Sequence, residues 1–359
     1  MRCSIFQPSS YSNFAPLRLC ESLLSLLFIF CSMMLHAQGK RQIAINFTDK
    51  GLGYYAHDSL DKAIQMFDIA IKEDSMYEEP RYRRANSYYD KKNFKKASAD
   101  YQWLVNHQTS NADVYERLGE LDTTIQDFKN ALPFFSAAIA RDSSQGSYFA
   151  ARGIAWFNLE KFDKAAADLE KAVQLSYTSA DIYSRLGYSK LRMEDNKYAA
   201  FYFSKAIELN PANYEDYANR GDALVGMHSL IAAKADLLYY MKFDSMDYSV
   251  WYNLARAQYG LLEYDAAIKS YKEVLQLKPG YGDTWFRMGL VYADKQEYKN
   301  AIDAFNHAIA QNPADAYLYY NRAVAKAKLN NGSDFCADLK KAADMGYDLA
   351  EKMRKEACK

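Results

Sequence analysis

The sequence predicts an all-α protein built from a repeated pair of helices. Glycine and proline, the residues that most often interrupt helices, number only 15 and 7 among 359 residues. The similar segments KAIELNP, EVLQLKP and HAIAQNP end at Pro211, Pro279 and Pro313, and the second interval between these prolines is half of the first. A recurrence at multiples of one interval, about 34 residues, indicates one structural unit copied along the chain.

Small residues recur once in each half of this unit. In the second half, an alanine returns at the same interval, and a large apolar or aromatic side chain follows it four residues later. This spacing places both on one face of a helix. In the first half, a glycine or alanine stands twelve positions before that alanine, and an aromatic residue often stands four positions earlier still. Glycine costs a helix about 1 kcal/mol relative to alanine, so its recurrence predicts close contact between paired helices. The second-half alanines are Ala63, Ala97, Ala131, Ala165, Ala199, Ala233, Ala267 and Ala301; the side chains after them are Phe67, Tyr101, Phe135, Leu169, Phe203, Leu237, Tyr271 and Phe305; the first-half small residues are Gly51, Ala85, Gly119, Gly153, Gly187, Gly221, Ala255 and Gly289.

This pattern resembles the tetratricopeptide repeat, whose unit of about 34 residues has the same small, aromatic and terminal proline positions. The resemblance covers about Ala44 to Met345. It implies a right-handed superhelical solenoid of antiparallel helix pairs, because such units bury little surface alone and stack on their neighbours. The sequence departs from the pattern at Lys50, Arg81 and Phe335, where a leucine, an aromatic residue and an alanine are expected. The predicted units lie near 44–77, 78–111, 112–145, 146–179, 180–213, 214–247, 248–281, 282–315 and 316–345.

The segment 1–37 has the composition of a secretory signal peptide. Arg2 and Arg18 precede the apolar run Leu23–Leu35, and small Ala37 stands at the expected cleavage position. The run is shorter than the roughly 20 apolar residues of a membrane helix. The sequence therefore predicts export to the periplasm or secretion, a short linker at 38–43 and no stable membrane span after signal removal. An uncleaved N-terminal anchor is the alternative.

The two cysteines outside the predicted signal peptide lie near the end of the chain. Gly346 predicts a helix stop, and residues 346–359 are predicted to form a capping helix with Leu349 and Met353 on its apolar face. Cys336 stands ten positions before this turn and Cys358 twelve positions after it, so an antiparallel hairpin would bring them to the same end. In an oxidising compartment we expect a disulfide between them. Two free buried thiols are the alternative.

Composition and motifs give no support for nucleic-acid binding, metal binding or catalysis. Lysine plus arginine and aspartate plus glutamate both number 45, so the chain has no basic excess to attract phosphates. The histidines His57, His107, His228 and His307 are not paired with another histidine or a cysteine at a metal-ligand spacing. The sequence contains no G-x-S-x-G motif. We therefore expect no cofactor, no metal, no catalytic residue and no nucleic-acid partner.

The resemblance implies a protein or peptide partner held in a groove lined by the first helices. The column of side chains two positions before the first-half small residue commonly faces that groove. Arginine can hold a carboxylate with two hydrogen bonds, and asparagine can pair with a peptide backbone. The alternative is a solvated face on which the arginines pair with nearby Asp222 or Asp283. From this column the predicted groove-binding residues are Arg117, Arg185, Asn219, Asn253, Arg287 and Asn321. Arg256 joins them, because it lies three residues after Asn253 and so one turn along the same face.

Together these features predict a protein-interaction scaffold of the cell envelope rather than an enzyme. A permanently packed structural subunit of an envelope complex and a non-catalytic accessory to an enzyme are the alternatives, since a fold does not determine a function. The sequence does not identify the partner, because groove residues vary freely on such a scaffold.

Overall fold

The computed structural model describes residues 15–281, 283–329 and 334–358, with side chains from residue 32 onward. These residues form helices joined by turns and short irregular segments, with no strand among them. The chain divides into two compact units, Met1–Ser144 and Gln145–Lys359. Positions 1–14 of the predicted signal peptide, the side chains at its positions 15–31, and positions 330–333 of the last predicted repeat lie outside the described residues.

The described part of the first unit consists of three consecutive helix pairs. Within each pair the two helices pack along each other, and each second helix also contacts the first helix of the next pair. The longest helix, α1, includes residues 38–43, which the sequence analysis assigns to a linker. The helices are α1 (Ala15–Ala56), α2 (Leu60–Glu73), α3 (Glu78–Asp90), α4 (Phe94–Asn106), α5 (Ala112–Thr124) and α6 (Phe128–Arg141).

The second unit continues the same arrangement and ends with a single helix packed on the last pair. The predicted all-α array of paired helices with a C-terminal capping helix is therefore confirmed. The helices are α7 (Gly146–Asn158), α8 (Phe162–Gln174), α9 (Ala180–Arg192), α10 (Asn196–Leu209), α11 (Tyr214–Gly226), α12 (Leu230–Tyr240), α13 (Tyr248–Gly260), α14 (Tyr264–Leu277), α15 (Asp283–Asp294), α16 (Tyr298–Gln311), α17 (Ala316–Lys328), α18 (Asp334–Asp344) and α19 (Asp348–Ala357).

The core of each pair lies where the sequence places its small residues. All eight second-half alanines and the large side chains that follow them are buried. A Cβ atom built on Gly119 would lie 2.5 Å from a ring carbon of Phe135, and one built on Gly187 would lie 2.9 Å from the ring of Phe203. Because a side chain at these glycines would overlap a buried ring, the glycine column is explained by the close contact of the paired helices.

The turns inside the first eight pairs each carry a residue with a positive φ angle, seven positions after the small residue of the first helix. This left-handed backbone costs residues other than glycine roughly 1–2 kcal/mol. The cost recurs because these eight pairs use the same turn. The residues are Asp58, Lys92, Gln126, Glu160, Glu194, His228, Leu262 and Gln296, with φ between 53° and 62°.

The C-terminal cap follows the predicted hairpin, with one difference in its buried face. Gly346 has a φ of 87°, two positions after the end of α18, and a disulfide joins Cys336 to Cys358. Ala350 and Met353 pack against α18, whereas Leu349, which the sequence analysis places on the apolar face, is 55% exposed. The contact face is therefore rotated by one residue, and Ala350 is buried there in place of Leu349.

Candidate peptide-binding groove on the first helices

The first helices of the second unit form a surface that we call the groove face, made by α7, α9, α11, α13, α15 and α17. In addition to their pair partners, successive first helices contact one another directly: α7 contacts α9, α9 contacts α11, α11 contacts α13, and α15 contacts α17. Six of the seven predicted groove-binding residues lie on these helices. The seventh, Arg117, lies on α5 of the first unit, where it donates to Glu120 at 2.8 Å.

Arg185 and Asn219 line one cavity of about 430 Å³ on the groove face. Arg185 on α9 donates from Nε to the two carboxylate oxygens of Asp181, at 3.0 and 2.8 Å, and lies over the ring of Phe157 at 5.2 Å. Its charge is therefore already paired within its own helix. Asn219 reaches the same cavity from α11.

Asp216 also lines this cavity, although no pattern in the sequence predicted it as a site residue. Its side chain is buried, and its Oδ2 atom accepts hydrogen bonds from Ser184 Oγ and Asn213 Nδ2, both at 2.8 Å. Burial raises the pKa of Asp216, and the nearby carboxylates of Glu215 and Asp181 raise it further. Removal from water therefore disfavours the charged form of this carboxylate, while the two hydrogen bonds favour it.

Asn253 and Arg256 come together on α13, as their spacing predicts. Arg256 Nη1 donates to Asn253 Oδ1 at 3.0 Å. Burial raises the pKa of Asp222 on the neighbouring helix α11, while Arg256 and Asn253 act in the opposite direction. Arg256 forms no ion pair with a carboxylate among the described residues, so several of its N–H donors have no acceptor within this part of the chain.

Arg287 is held by its surroundings, as the alternative of a paired arginine predicts. Its Nε atom donates to Asp283 and to the hydroxyl of Tyr252, both at 2.6 Å, and Tyr252 also donates to Asp283. Tyr271 stacks edge-on against Tyr252, and its buried hydroxyl has no partner in the described structure. Asn321 donates to the carbonyl oxygen of Tyr317 on its own helix, at 2.7 Å.

Arginine–aspartate pairs within the repeats are a second feature that the sequence analysis missed. In four pairs of helices, an arginine next to the small residue of the first helix donates to an aspartate that stands 16 positions later, on the second helix. In three of them the signal was present in the sequence, because the arginines recur in every second repeat. The pairs are Arg84–Asp100, Arg152–Asp168, Arg220–Asp236 and Arg322–Asp338, and their side chains are half-buried or buried.

These arginine–aspartate pairs are structural. Arg220 uses two nitrogens on Asp236, at 2.7 and 2.8 Å, and a third on Ser204 of the preceding pair of helices, at 3.1 Å. Such a fork fixes the guanidinium between neighbouring repeats. Few N–H donors of this guanidinium therefore remain to bind a partner.

The described residues contain no metal-binding group and no membrane helix. No three His, Cys, Asp or Glu side chains in this part of the chain are grouped so that they could hold a metal ion. Within the same residues, no helix combines the length and the apolar character that crossing a membrane requires.

Comparison with protein families gives matches to the tetratricopeptide repeat over much of the chain. One model of this repeat matches residues 82–146, 252–316 and 286–345, and a second matches residues 180–213. Together the matched residues make up just over half of the chain.

Several solved structures are similar to this chain at low sequence identity. The MamA protein is 22% identical, with 50% of this chain and 96% of MamA covered and a TM-score of 0.43. YrrB, described as a tetratricopeptide protein with an unusual peptide-binding site, is 22% identical, with 61% and 94% covered and a TM-score of 0.35. The C-terminal part of a repeat-containing protein from Cytophaga hutchinsonii is 17% identical, with 64% and 95% covered and a TM-score of 0.49.

Proposed function

The chain belongs to the tetratricopeptide-repeat family, and from this we propose that it is a protein-interaction scaffold that binds a peptide or a partner protein along the groove face. The groove face offers amide and guanidinium donors on three of its helices, at Asn219 on α11, Asn253 and Arg256 on α13, and Asn321 on α17. An extended peptide carries backbone carbonyl oxygens and carboxylates that such donors can satisfy. No catalytic role is part of this proposal.

Arg256 is the observation on which the proposal rests. Arg287 and Arg185 already donate to carboxylates of their own helices, whereas Arg256 donates to the neutral Asn253. Asn253 therefore orients the guanidinium, and the nearby carboxylate of Asp222 on α11 acts on its charge without forming an ion pair with it among the described residues. We expect Arg256 to hold a carboxylate or a backbone carbonyl of the partner, with Asn219 and Asn253 beside it.

The experiment is a peptide selection followed by a matched pair of substitutions. Peptides selected from a displayed library against the chain from Gln38 onward are titrated into the wild type, Arg256→Gln and Lys269→Gln. Lys269 is an exposed cation on α14, the second helix of the same pair. We expect Arg256→Gln to weaken binding about tenfold or more, as for one hydrogen bond to a charged group, and Lys269→Gln to leave it unchanged. Equal affinities for all three proteins would refute the assignment.

Exposed apolar side chains on second helices favour a second candidate, a permanently packed structural subunit. Phe201 on α10 is 52% exposed, and Ile231 and Leu238 on α12 are 78% and 43% exposed. Large exposed apolar surfaces often mark interaction sites. Light scattering on the chain from Gln38 onward separates the two candidates: a monodisperse monomer at high concentration supports the scaffold, and self-association relieved by Ile231→Lys supports the subunit.

We also propose that the chain is exported and acts in the cell envelope, periplasmic or secreted. The basis is the charge pattern and apolar run of the segment 1–37 together with cysteines that pair outside that segment. N-terminal sequencing of the protein from a periplasmic fraction should begin at Gln38. Leu27→Arg, which interrupts the apolar run, should keep the protein in the cytoplasm. An intact N-terminus in the membrane fraction would instead indicate an uncleaved anchor.

A further inference from the structure

We propose that the cavity between α9 and α11 is a subsite for a cation, the ammonium or guanidinium group of a basic side chain, with Asp216 as its counter-ion. This inference rests on the proposed function, because it assigns a charge preference to one part of the groove face. It differs from the sequence prediction, which assigns Asn219 to a groove that holds a carboxylate.

Asp216 occupies a position that is otherwise apolar or uncharged throughout the array. From the second pair of helices to the ninth, the residue five positions before the small residue of the first helix is buried. An aspartate there gives up apolar burial and takes a carboxylate out of water, which is unfavourable unless the charge is compensated. The equivalent residues are Pro80, Val114, Tyr148, Ile182, Val250, Thr284 and Leu318.

The hydrogen bonds of Asp216 leave one carboxylate oxygen without a donor among the described residues. Ser184 and Asn213 both donate to Oδ2, and no described donor reaches Oδ1. Asp216 is 2% exposed and is one of the residues that line the cavity, so its carboxylate borders a space that a ligand can enter. An ionised carboxylate can accept further hydrogen bonds at that oxygen.

The walls of the cavity suit a cation. Phe157, Tyr188 and Tyr214 supply aromatic surface, against which ammonium and guanidinium groups bind favourably. Glu215 adds a second carboxylate at the lining, while the charge of Arg185 is taken up by Asp181. A carboxylate ligand would face Asp216 and Glu215 with like charge, so it is disfavoured here.

The raised pKa of Asp216 agrees with this geometry. The causes are burial and the nearby carboxylates of Glu215 and Asp181, all of which destabilise the charged form. A bound cation would remove that penalty and lower the pKa again. Cation binding should therefore weaken as the pH falls and Asp216 takes up a proton, with Glu215, Asp181 and Arg185 as the other charged groups facing it.

The experiment uses two probes of equal shape, N-acetyl-arginine amide and its uncharged analogue N-acetyl-citrulline amide. Their binding to the chain from Gln38 onward is titrated by saturation-transfer NMR at neutral pH. We expect the arginine probe to bind at millimolar concentration and the citrulline probe at least about tenfold more weakly, as for loss of a charge-assisted hydrogen bond. Equal binding of the two probes, or binding of neither, would overturn the proposal.

Substitutions then locate the site. Asp216→Val restores the residue found at Val114 and Val250, and Asp216→Asn keeps the shape; both should abolish the preference for arginine over citrulline. Asp265→Asn, an exposed acid on α14 paired with Lys295, should retain it. Circular dichroism checks folding, and should Asp216→Val unfold, the result with Asp216→Asn decides. Retention of the preference in Asp216→Asn contradicts the subsite. Because neither probe involves the natural partner, this result is independent of whether Arg256→Gln weakens peptide binding.

Discussion

Two glycines of one helix should respond in opposite ways to the same substitution. Gly51 and Gly53 both lie in α1. A Cβ atom on Gly51 would lie 2.7 and 2.9 Å from ring carbons of Phe67, closer than real Cβ contacts, whereas one on Gly53 meets no atom within 4 Å. Phe67 is wholly buried, so its ring cannot move aside without disturbing α2.

The magnitudes follow from two terms. Replacing a helical glycine by alanine gains about 1 kcal/mol at either position, because alanine has the better helix propensity. At Gly51 this gain is opposed by an overpacking cost of about 1–3 kcal/mol. We therefore expect Gly53→Ala to stabilise the first pair by about 1 kcal/mol and Gly51→Ala to destabilise it by up to about 2 kcal/mol. The propensity term cancels in the difference, which then measures the steric cost.

Native-state hydrogen exchange of the α2 amides is the appropriate assay, because a pair near one end of a repeat array can open without unfolding of the rest. The protection of these amides should rise in Gly53→Ala and fall in Gly51→Ala. Equal changes in the two variants would mean that Gly51 does not pack against Phe67, and the explanation of the whole glycine column would then be wrong.

Three further predictions concern stability. Leu262 has a φ of 62°, so Leu262→Gly should raise the urea midpoint by relieving about 1 kcal/mol of strain; a lower midpoint would contradict this. Reduction of the Cys336–Cys358 disulfide, whose cysteines are separated by 22 residues, should remove about 3 kcal/mol of loop constraint and expose α19 to trypsin, whereas unchanged proteolysis would argue against its structural role. Asp236→Ala leaves the half-buried Arg220 without its carboxylate and should cost about 2 kcal/mol in chemical denaturation, with a double-mutant cycle with Arg220→Ala giving a coupling of about 1–3 kcal/mol; additive effects would contradict the fork.

Periodic features of the fold could be predicted from the sequence because each repeat reports the same packing. Ala165, Leu169 and Gly153 are recognisable only as members of columns, yet the columns fix which face of each helix is buried. The hairpin that brings Cys336 near Cys358 follows from counting residues around Gly346 in the same way.

The hydrogen-bond partners of the groove side chains could not be predicted from periodicity, because they depend on the particular residues of each repeat and its neighbours. Arg287 stands two positions before Gly289, and Arg256 stands one position after Ala255 on the preceding first helix. Arg287 has an acid one turn before it, at Asp283, and Arg256 does not. Asp216 stands out from its column, but its role depends on Ser184 of the preceding repeat. A residue of this kind becomes meaningful once the neighbouring helix is in place.

The two proposed subsites together imply a charge pattern in the partner. Asp216 and Arg256 lie on successive first helices, α11 and α13, whose axes are about 10 Å apart. Asp216 stands five positions before the small residue Gly221, and Arg256 stands one position after the small residue Ala255. Along the helix direction the two positions therefore differ by six residues, or about 9 Å. The resulting separation of the two Cα positions is about 13 Å, which is the length of about four residues of an extended peptide.

A partner that uses both subsites should therefore carry a basic and an acidic residue about four positions apart. The test is a set of alanine-rich peptides in which one arginine and one glutamate are separated by two, four or six positions. We expect binding to peak at a separation of four and to lose that peak in both Asp216→Asn and Arg256→Gln. Affinity that does not depend on the separation would show that the two side chains do not act on one bound peptide, even if each binds its own charge.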